Sequence, residues 1–169
     1  MTAFLKTIKV KHIFAVVYLI GLVNFIIVKF FGDIQKVIDR IEMVKLQKKE
    51  GYWNLQLIPF RTITSSMNSC HRFGIDHPSS IALITNIVLF VPMGFLVPYV
   101  LRKPSFLKTI GMSLAIIFGI EIIQYVTNLG ATDIDDVILN ITGCLIGYMV
   151  YAISLALHKK MNRGFRTLS

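Results

Sequence analysis

The residues most able to do chemistry stand together near the C-terminal third of the chain. Asp133, Asp135 and Asp136 lead directly into the apolar run Val137–Leu157, with Asn140 four residues beyond Asp136. Glu121 and Gln124 are three apart, and Asn128 is seven from Glu121, so on a helix all three share a face. Carboxylates of this kind can cap a helix, meet a basic partner or supply hard oxygen ligands to Mg or Ca. One aspartate is enough to cap the free N–H groups of a helix start. Three, with Glu121 nearby, exceed that need.

The elements that must carry these groups are membrane helices. The 169 residues are 54% hydrophobic and 16% charged, with a mean hydropathy of +0.66. That leaves too little polar material to cover a soluble domain. The expected fold is an all-α polytopic membrane bundle, with four spans near 12–31, 81–101, 108–127 and 137–157. Residues 1–11 form a basic N-terminus, 12–157 the membrane domain and 158–169 a basic tail. The first span follows Lys6, Lys9 and Lys11 like a signal peptide, lacks a small-residue cleavage site, and reads as an uncleaved anchor.

Basic residues fix the expected orientation. Lys6, Lys9 and Lys11, then Arg102, Lys103 and Lys108, then Lys159, Lys160, Arg163 and Arg166 lie in regions without an acidic residue. The loop after span three carries only acids. Both termini are therefore expected in the cytoplasm of a cell membrane protein, with the acidic loop outside. The long first loop, 32–80, has seven Lys/Arg and five acidic residues and weighs little in this rule. The net charge of +9 then suits anionic lipid headgroups and requires no nucleic acid. Cys70 in a loop and Cys144 in a span are not placed to bridge.

Within the first loop, Ile34, Val37, Ile38 and Ile41 recur at helical spacing and predict an interfacial amphipathic helix. The following stretch, 51–63, places Tyr52 and Trp53 at headgroup level. Asn54, Pro59 and Arg61 make it a short interfacial or re-entrant segment on the outer side. Gly111, Ala115 and Gly119 in span three, and Gly143 and Gly147 in span four, are four apart and predict that these two spans pack together. Pro92 and Pro98 predict a kink in span two.

Placed by depth, the polar groups gather in the outer half of the bundle. An ionisable side chain at the centre of a bilayer costs roughly 2.5–3.5 kcal/mol on insertion scales, so such groups face the bundle interior or a wet cavity. The expected site is an outward-facing polar pocket lined by Asn86, Glu121, Gln124, Asp133, Asp136 and Asn140, with Asn54 and Arg61 close by. Arg61 paired with Asp136 or Glu121 would pin the interfacial segment over it. A divalent cation at Asp133 and Asp136 is the rival counter-charge, and no other cofactor is indicated. The plain alternative is structural: Asp133 caps, Asp135 faces water, and Asp136 and Asn140 point inward only to fix the helices. His71 and His77 lack metal spacing and read as surface residues. No nucleophilic triad, phosphate-binding loop or Walker motif is present.

Four stretches in order resemble the VanZ-like family. They are "NLQLIPFRTI" at 54–63, "NIVLFVPMGFLVP" at 86–98, "EIIQ" at 121–124 and "DIDDVILNITGCLIGY" at 133–148. They match an Asn-Leu-x-Pro-Phe segment (here with two extra residues), an Asn…Phe-x-Pro-x-Gly helix, Glu-x-x-Gln, and Asp-x-x-Asp…Asn-x-x-Gly…Gly. The arginine that members often carry shortly before the first aspartate is absent from Leu129-Gly130-Ala131-Thr132. The resemblance implies a small bacterial membrane protein of four or five helices. It also implies a link to resistance to teicoplanin, a lipid-tailed glycopeptide, with much less effect on vancomycin. It implies no reaction. The function expected from it is a non-enzymatic envelope protein whose pocket meets the lipoglycopeptide or a lipid-linked wall component. The alternatives are a metal-dependent enzyme or flippase acting on lipid-linked phosphate headgroups, and a scaffold subunit.

Overall fold

A computed structural model describes residues 2–28, 33–101 and 104–166, with side chains placed for 10–25, 33–101 and 104–162. Arg102 and Lys103, and the side chains of Lys6, Lys9, Arg163 and Arg166, lie outside the described residues. The chain is an all-α bundle. Helix α1 (Thr2–Leu22) continues as a π-helical stretch, Val23–Val28. Then come α2 (Ile34–Lys49), the two-residue strand β1 (Leu55–Gln56), α3 (Arg61–Phe73), α4 (Pro78–Val100) and α5 (Phe106–Thr127). A second short strand, β2 (Thr132–Asp133), leads into α6 (Ile134–Arg166).

Three of these helices are long and apolar enough to cross a membrane: Pro78–Val100, Phe106–Thr127 and the Ile134–Asn162 part of α6. The described apolar stretch that runs from α1 into the π-helical residues, Val10–Phe25, is shorter. Each start has a local cause. Asp33 accepts from the backbone N–H groups of Gln35 and Lys36 and caps α2. Pro78 opens α4 behind a His77 cap, and the Ser105 hydroxyl accepts from Lys108 N–H to cap α5. Asn128, in the left-handed conformation at φ 58°, ends α5. The amphipathic helix expected from Ile34 is present as α2, with Val37 and Val44 buried. The segment after Tyr52 is neither a span nor featureless: it forms β1 and then the amphipathic α3.

The tightest packing corrects the expected pairing. A Cβ on Gly94 would stand 2.0 Å from the Cys144 carbonyl oxygen, one on Gly143 2.1 Å from that of Ile87, and one on Gly147 1.9 Å from that of Val91. The small residues of α6 therefore seat it against α4, not α5. Gly111 and Gly119 of α5 have nothing within 4 Å of a built Cβ. The reason is geometric. A pair of glycines four apart says that some backbone comes close, but only the partner's own gap, here Gly94, says which. Leu22, Phe90, Met93, Ile117, Ile120, Val137 and Cys144 form the core behind this contact. Helix α1 joins it polar end first: Lys11 Nζ donates to the Tyr99 and Val100 carbonyls at the end of α4, and Tyr18 Oη to the Leu89 carbonyl.

Candidate functional site

The acidic run sits where α5 has ended and α6 begins, and each aspartate has a different task. Asp133 is the residue before α6. Its carboxylate accepts from Asp135 N–H at 2.9 Å, the geometry of a helix N-cap. It also accepts from the Thr62 hydroxyl. Asp136 accepts from Asn86 Nδ2 at 2.6 Å, joining α6 to α4.

Asp135 is the residue that sequence reasoning misjudged. The plain structural alternative has it facing water and the expected pocket leaves it out, yet it is 0% exposed. Its carboxylate accepts from the backbone N–H groups of Phe60 (2.6 Å), Thr62 (2.7 Å) and Ile63 (3.1 Å). It is therefore the N-terminal cap of α3, supplied from 75 residues away. Phe60, the residue before α3, is left-handed at φ 64° and offers no side-chain cap. An anion at the positive end of the helix satisfies the orphan donors and the dipole together. The available signal was a helix start, Pro59-Phe60-Arg61, with no Ser, Thr, Asp or Asn at the cap position.

The other anticipated residues fall around this junction. Asn54 Nδ2 donates to the Gly130 carbonyl at 2.8 Å, and the Asn54 backbone carbonyl accepts from Thr132 N–H at 2.9 Å. This starts the parallel pairing of β1 with β2, Leu55 opposite Thr132 and Gln56 opposite Asp133. Glu121 is buried, its Oε2 accepting from Asp133 N–H at 3.3 Å and its carbonyl from the Thr132 hydroxyl at 3.0 Å. Gln124 is buried beneath Gly130, where a Cβ would come within 2.9 Å of Nε2. Asn140 is buried one turn past Asp136, and its Oδ1 has no hydrogen-bond partner among the described residues. Arg61 is exposed at the first position of α3. Asp136 accepts from Asn86, Asp133 from the Thr62 hydroxyl, and Asp135 from backbone N–H groups.

Two of these residues border one cavity. Glu121 and Asp133, with Thr132 and Tyr125, border a cavity of about 240 Å³ whose open surface is apolar, chiefly Phe118, Ile122, Leu55, Leu57 and Val137. Asn86 and Asp136 are tied to each other instead. A residue not anticipated completes the junction. Lys48, in the last turn of α2, donates to Asn128 Oδ1 at 2.6 Å and to the Tyr125 carbonyl at 3.4 Å. Its ammonium lies 4.6 Å from the centre of the Tyr125 ring. A cation is favoured at this carbonyl-rich end of α5. Among the described residues, no group of three or more His, Cys, Asp or Glu side chains is placed to share a metal ion.

Fold and site together define a polytopic α-helical membrane protein whose connecting segments are clipped to the exit of one spanning helix and the entry of the next. A profile of the VanZ/LLP1 family matches residues 14–155. The chain belongs to that family. It is similar to Protein VanZ of Enterococcus faecium, with 36% identity over 81 residues, 48% of each chain. The match thus spans about half the length of that curated relative. No solved structure matches.

Proposed function

We propose that this chain is a non-enzymatic envelope protein that lowers sensitivity to lipoglycopeptides such as teicoplanin. Both termini lie in the cytoplasm, and the junction built by Asp133, Asp135 and Asp136 faces outward. The observation that carries the reading is the apolar cavity at that junction, walled by Phe118, Ile122 and Val137 beside the roof formed by Leu55 and Leu57, with Glu121 and Asp133 turned into the fold behind it. Such a site can take the lipid part of a molecule. Family membership supports the resistance role. Asn54, Gln124 and Asn140 hold the walls in place, Asn86 and Asp136 lock α4 to α6, and Arg61 stands free to meet a phosphate or carboxylate at the surface. Membrane lipids are the surrounding partners.

The test is expression of the wild-type chain, Glu121→Gln and Asp136→Asn in a susceptible Gram-positive host, with membrane levels matched. The expected result is a several-fold rise in the inhibitory concentration of teicoplanin, little change for vancomycin, and loss of the rise in both variants. No rise with the wild-type chain would remove the resistance role. A rise that survives both substitutions would remove these residues from it.

A further inference from the structure

We infer that the outward face of α3 is a docking surface for the anionic phospholipid heads of the outer leaflet, with Arg61 and Arg72 each meeting one phosphate. This rests on the outward orientation proposed above and not on resistance. Both ends of α3 are tied to the same end of the bundle. Helices α4 and α6 run in the same direction, since Gly143 meets the Ile87 carbonyl and Gly147 that of Val91, so their first residues lie together. Asp135, in the first turn of α6, caps the start of α3. At the other end the Gly74 carbonyl accepts from the Ser80 hydroxyl in the first turn of α4, and the Phe73 ring stacks on His77 at 5.2 Å. Helix α3 therefore lies across the starts of two spanning helices, along the membrane plane, for about 20 Å.

That placement sorts the side chains. Ser66 is buried and Ile63 and Cys70 are half-buried, which sets the side turned to the bundle. Arg61, Ser65, Asn68 and Arg72 are exposed on the opposite side. The eleven steps from Arg61 to Arg72, at about 100° each, return to one face about 16 Å farther along the axis. One phosphate cannot reach both guanidinium groups, so they meet separate heads. Phe60 and Met67, seven apart on one flank, are 60% and 61% exposed. At the rim of a spanning bundle the medium that takes such flanks is the upper hydrocarbon of the leaflet. The formal charges between residues 61 and 77 are Arg61, Arg72 and Asp76, an excess of positive charge. The carboxylates beside Arg61, those of Asp133 and Asp135, accept from Thr62 and from the α3 amides. A guanidinium holds a phosphate by two parallel hydrogen bonds. A zwitterionic lipid brings its own ammonium beside that phosphate and gains less, so the face selects anionic lipid.

Trp53, the single tryptophan of the chain, reports on the lipids beside Arg61, because β1 and Thr62 both meet Asp133. The full chain is reconstituted in phosphatidylcholine vesicles holding a minor fraction of lipid brominated on its acyl chain, either phosphatidylglycerol or phosphatidylcholine. A preference of roughly fivefold is expected at the arginine, so brominated phosphatidylglycerol should quench Trp53 about twice as strongly as brominated phosphatidylcholine at the same fraction. Arg61→Gln should remove that excess, and high salt should remove it from the wild-type chain. Lys160→Gln, on the exposed tail of α6, should leave it intact. Moving the reporter, with Trp53→Phe and Phe73→Trp, reads Arg72 and Arg72→Gln in the same way. Equal quenching by the two lipids in the wild-type chain, an excess that survives Arg61→Gln, or no quenching by either lipid would overturn the inference. If Arg61→Gln does not fold, the wild-type comparison and its salt dependence still decide it. An excess without any change in antibiotic sensitivity removes the resistance role alone. Altered sensitivity without an excess removes this inference alone.

Discussion

Gly147→Val is expected to unseat α6 from α4 and to prevent the chain from reaching a stable folded state. The added Cβ would stand 1.9 Å from the Val91 carbonyl oxygen and 3.0 Å from the Gly94 Cα. Neither is the end of a flexible side chain, so relief requires the two helices to part. Their separation undoes the opposing contacts at Gly94 and Gly143 and stretches the Asn86–Asp136 bond between the same helices. Overpacking commonly costs 1–3 kcal/mol where side chains can yield. With only backbone to move, about 3 kcal/mol or more is expected. In lipid this matters more than usual, since helix association rests on close packing and polar contacts. Thermal unfolding of the purified variant in detergent reads the effect. Gly119→Ala is the control, because its Cβ meets nothing within 4 Å. Equal destabilisation by both would restore the α5–α6 pairing and reject the close α4–α6 contact.

Asp135→Ala is expected to release α3 while leaving the spanning helices assembled. It strips three N–H groups, at Phe60, Thr62 and Ile63, of their acceptor and removes an anion from the start of α3. A lost cap costs up to about 2 kcal/mol, and a buried donor left unsatisfied costs about 1–3 kcal/mol. A local loss of about 3 kcal/mol follows if the freed groups are partly rehydrated. Asp135→Asn keeps an acceptor without the charge and should fall between. Trypsin offers a direct readout, since Arg61 and Arg72 lie in α3 and are exposed. Faster cleavage at both in Asp135→Ala, with cleavage elsewhere unchanged, is the expected pattern. Unchanged cleavage at Arg61 and Arg72 would show that α3 is held by other contacts.

What could be read from the residues follows from how far each cause reaches along the chain. The spans from 81, 108 and 137 were legible because an apolar run of helical length has few other uses. The α2 helix was legible because Val37 and Ile41 are neighbours on its own surface. The gathering of polar groups at one end followed from counting depth along successive spans. The task of Asp135 was not legible, because its partners lie more than 70 residues upstream and are backbone amides, which carry no residue identity. For the same reason Asn86 was found as a polar intramembrane residue but not as the partner of Asp136. The glycines of α6 announced a close contact without naming its other side. Lys48 looked like one of several charges on an interfacial helix, and only the fold brings it to Asn128 and the ring of Tyr125.

Every functional statement above requires the α3 junction to face outward, and cysteine labelling tests this directly. In a Cys70→Ser background, Thr64→Cys places a thiol on the exposed side of α3, and Lys160→Cys places one on the exposed tail of α6. Intact cells of a Gram-positive host are treated with a membrane-impermeant maleimide, before and after permeabilisation. The expected result is labelling of the Thr64→Cys chain in intact cells and of the Lys160→Cys chain only after permeabilisation. The reverse pattern would contradict the proposal, because the cavity at the junction would then lie on the cytoplasmic side, away from any extracellular lipoglycopeptide.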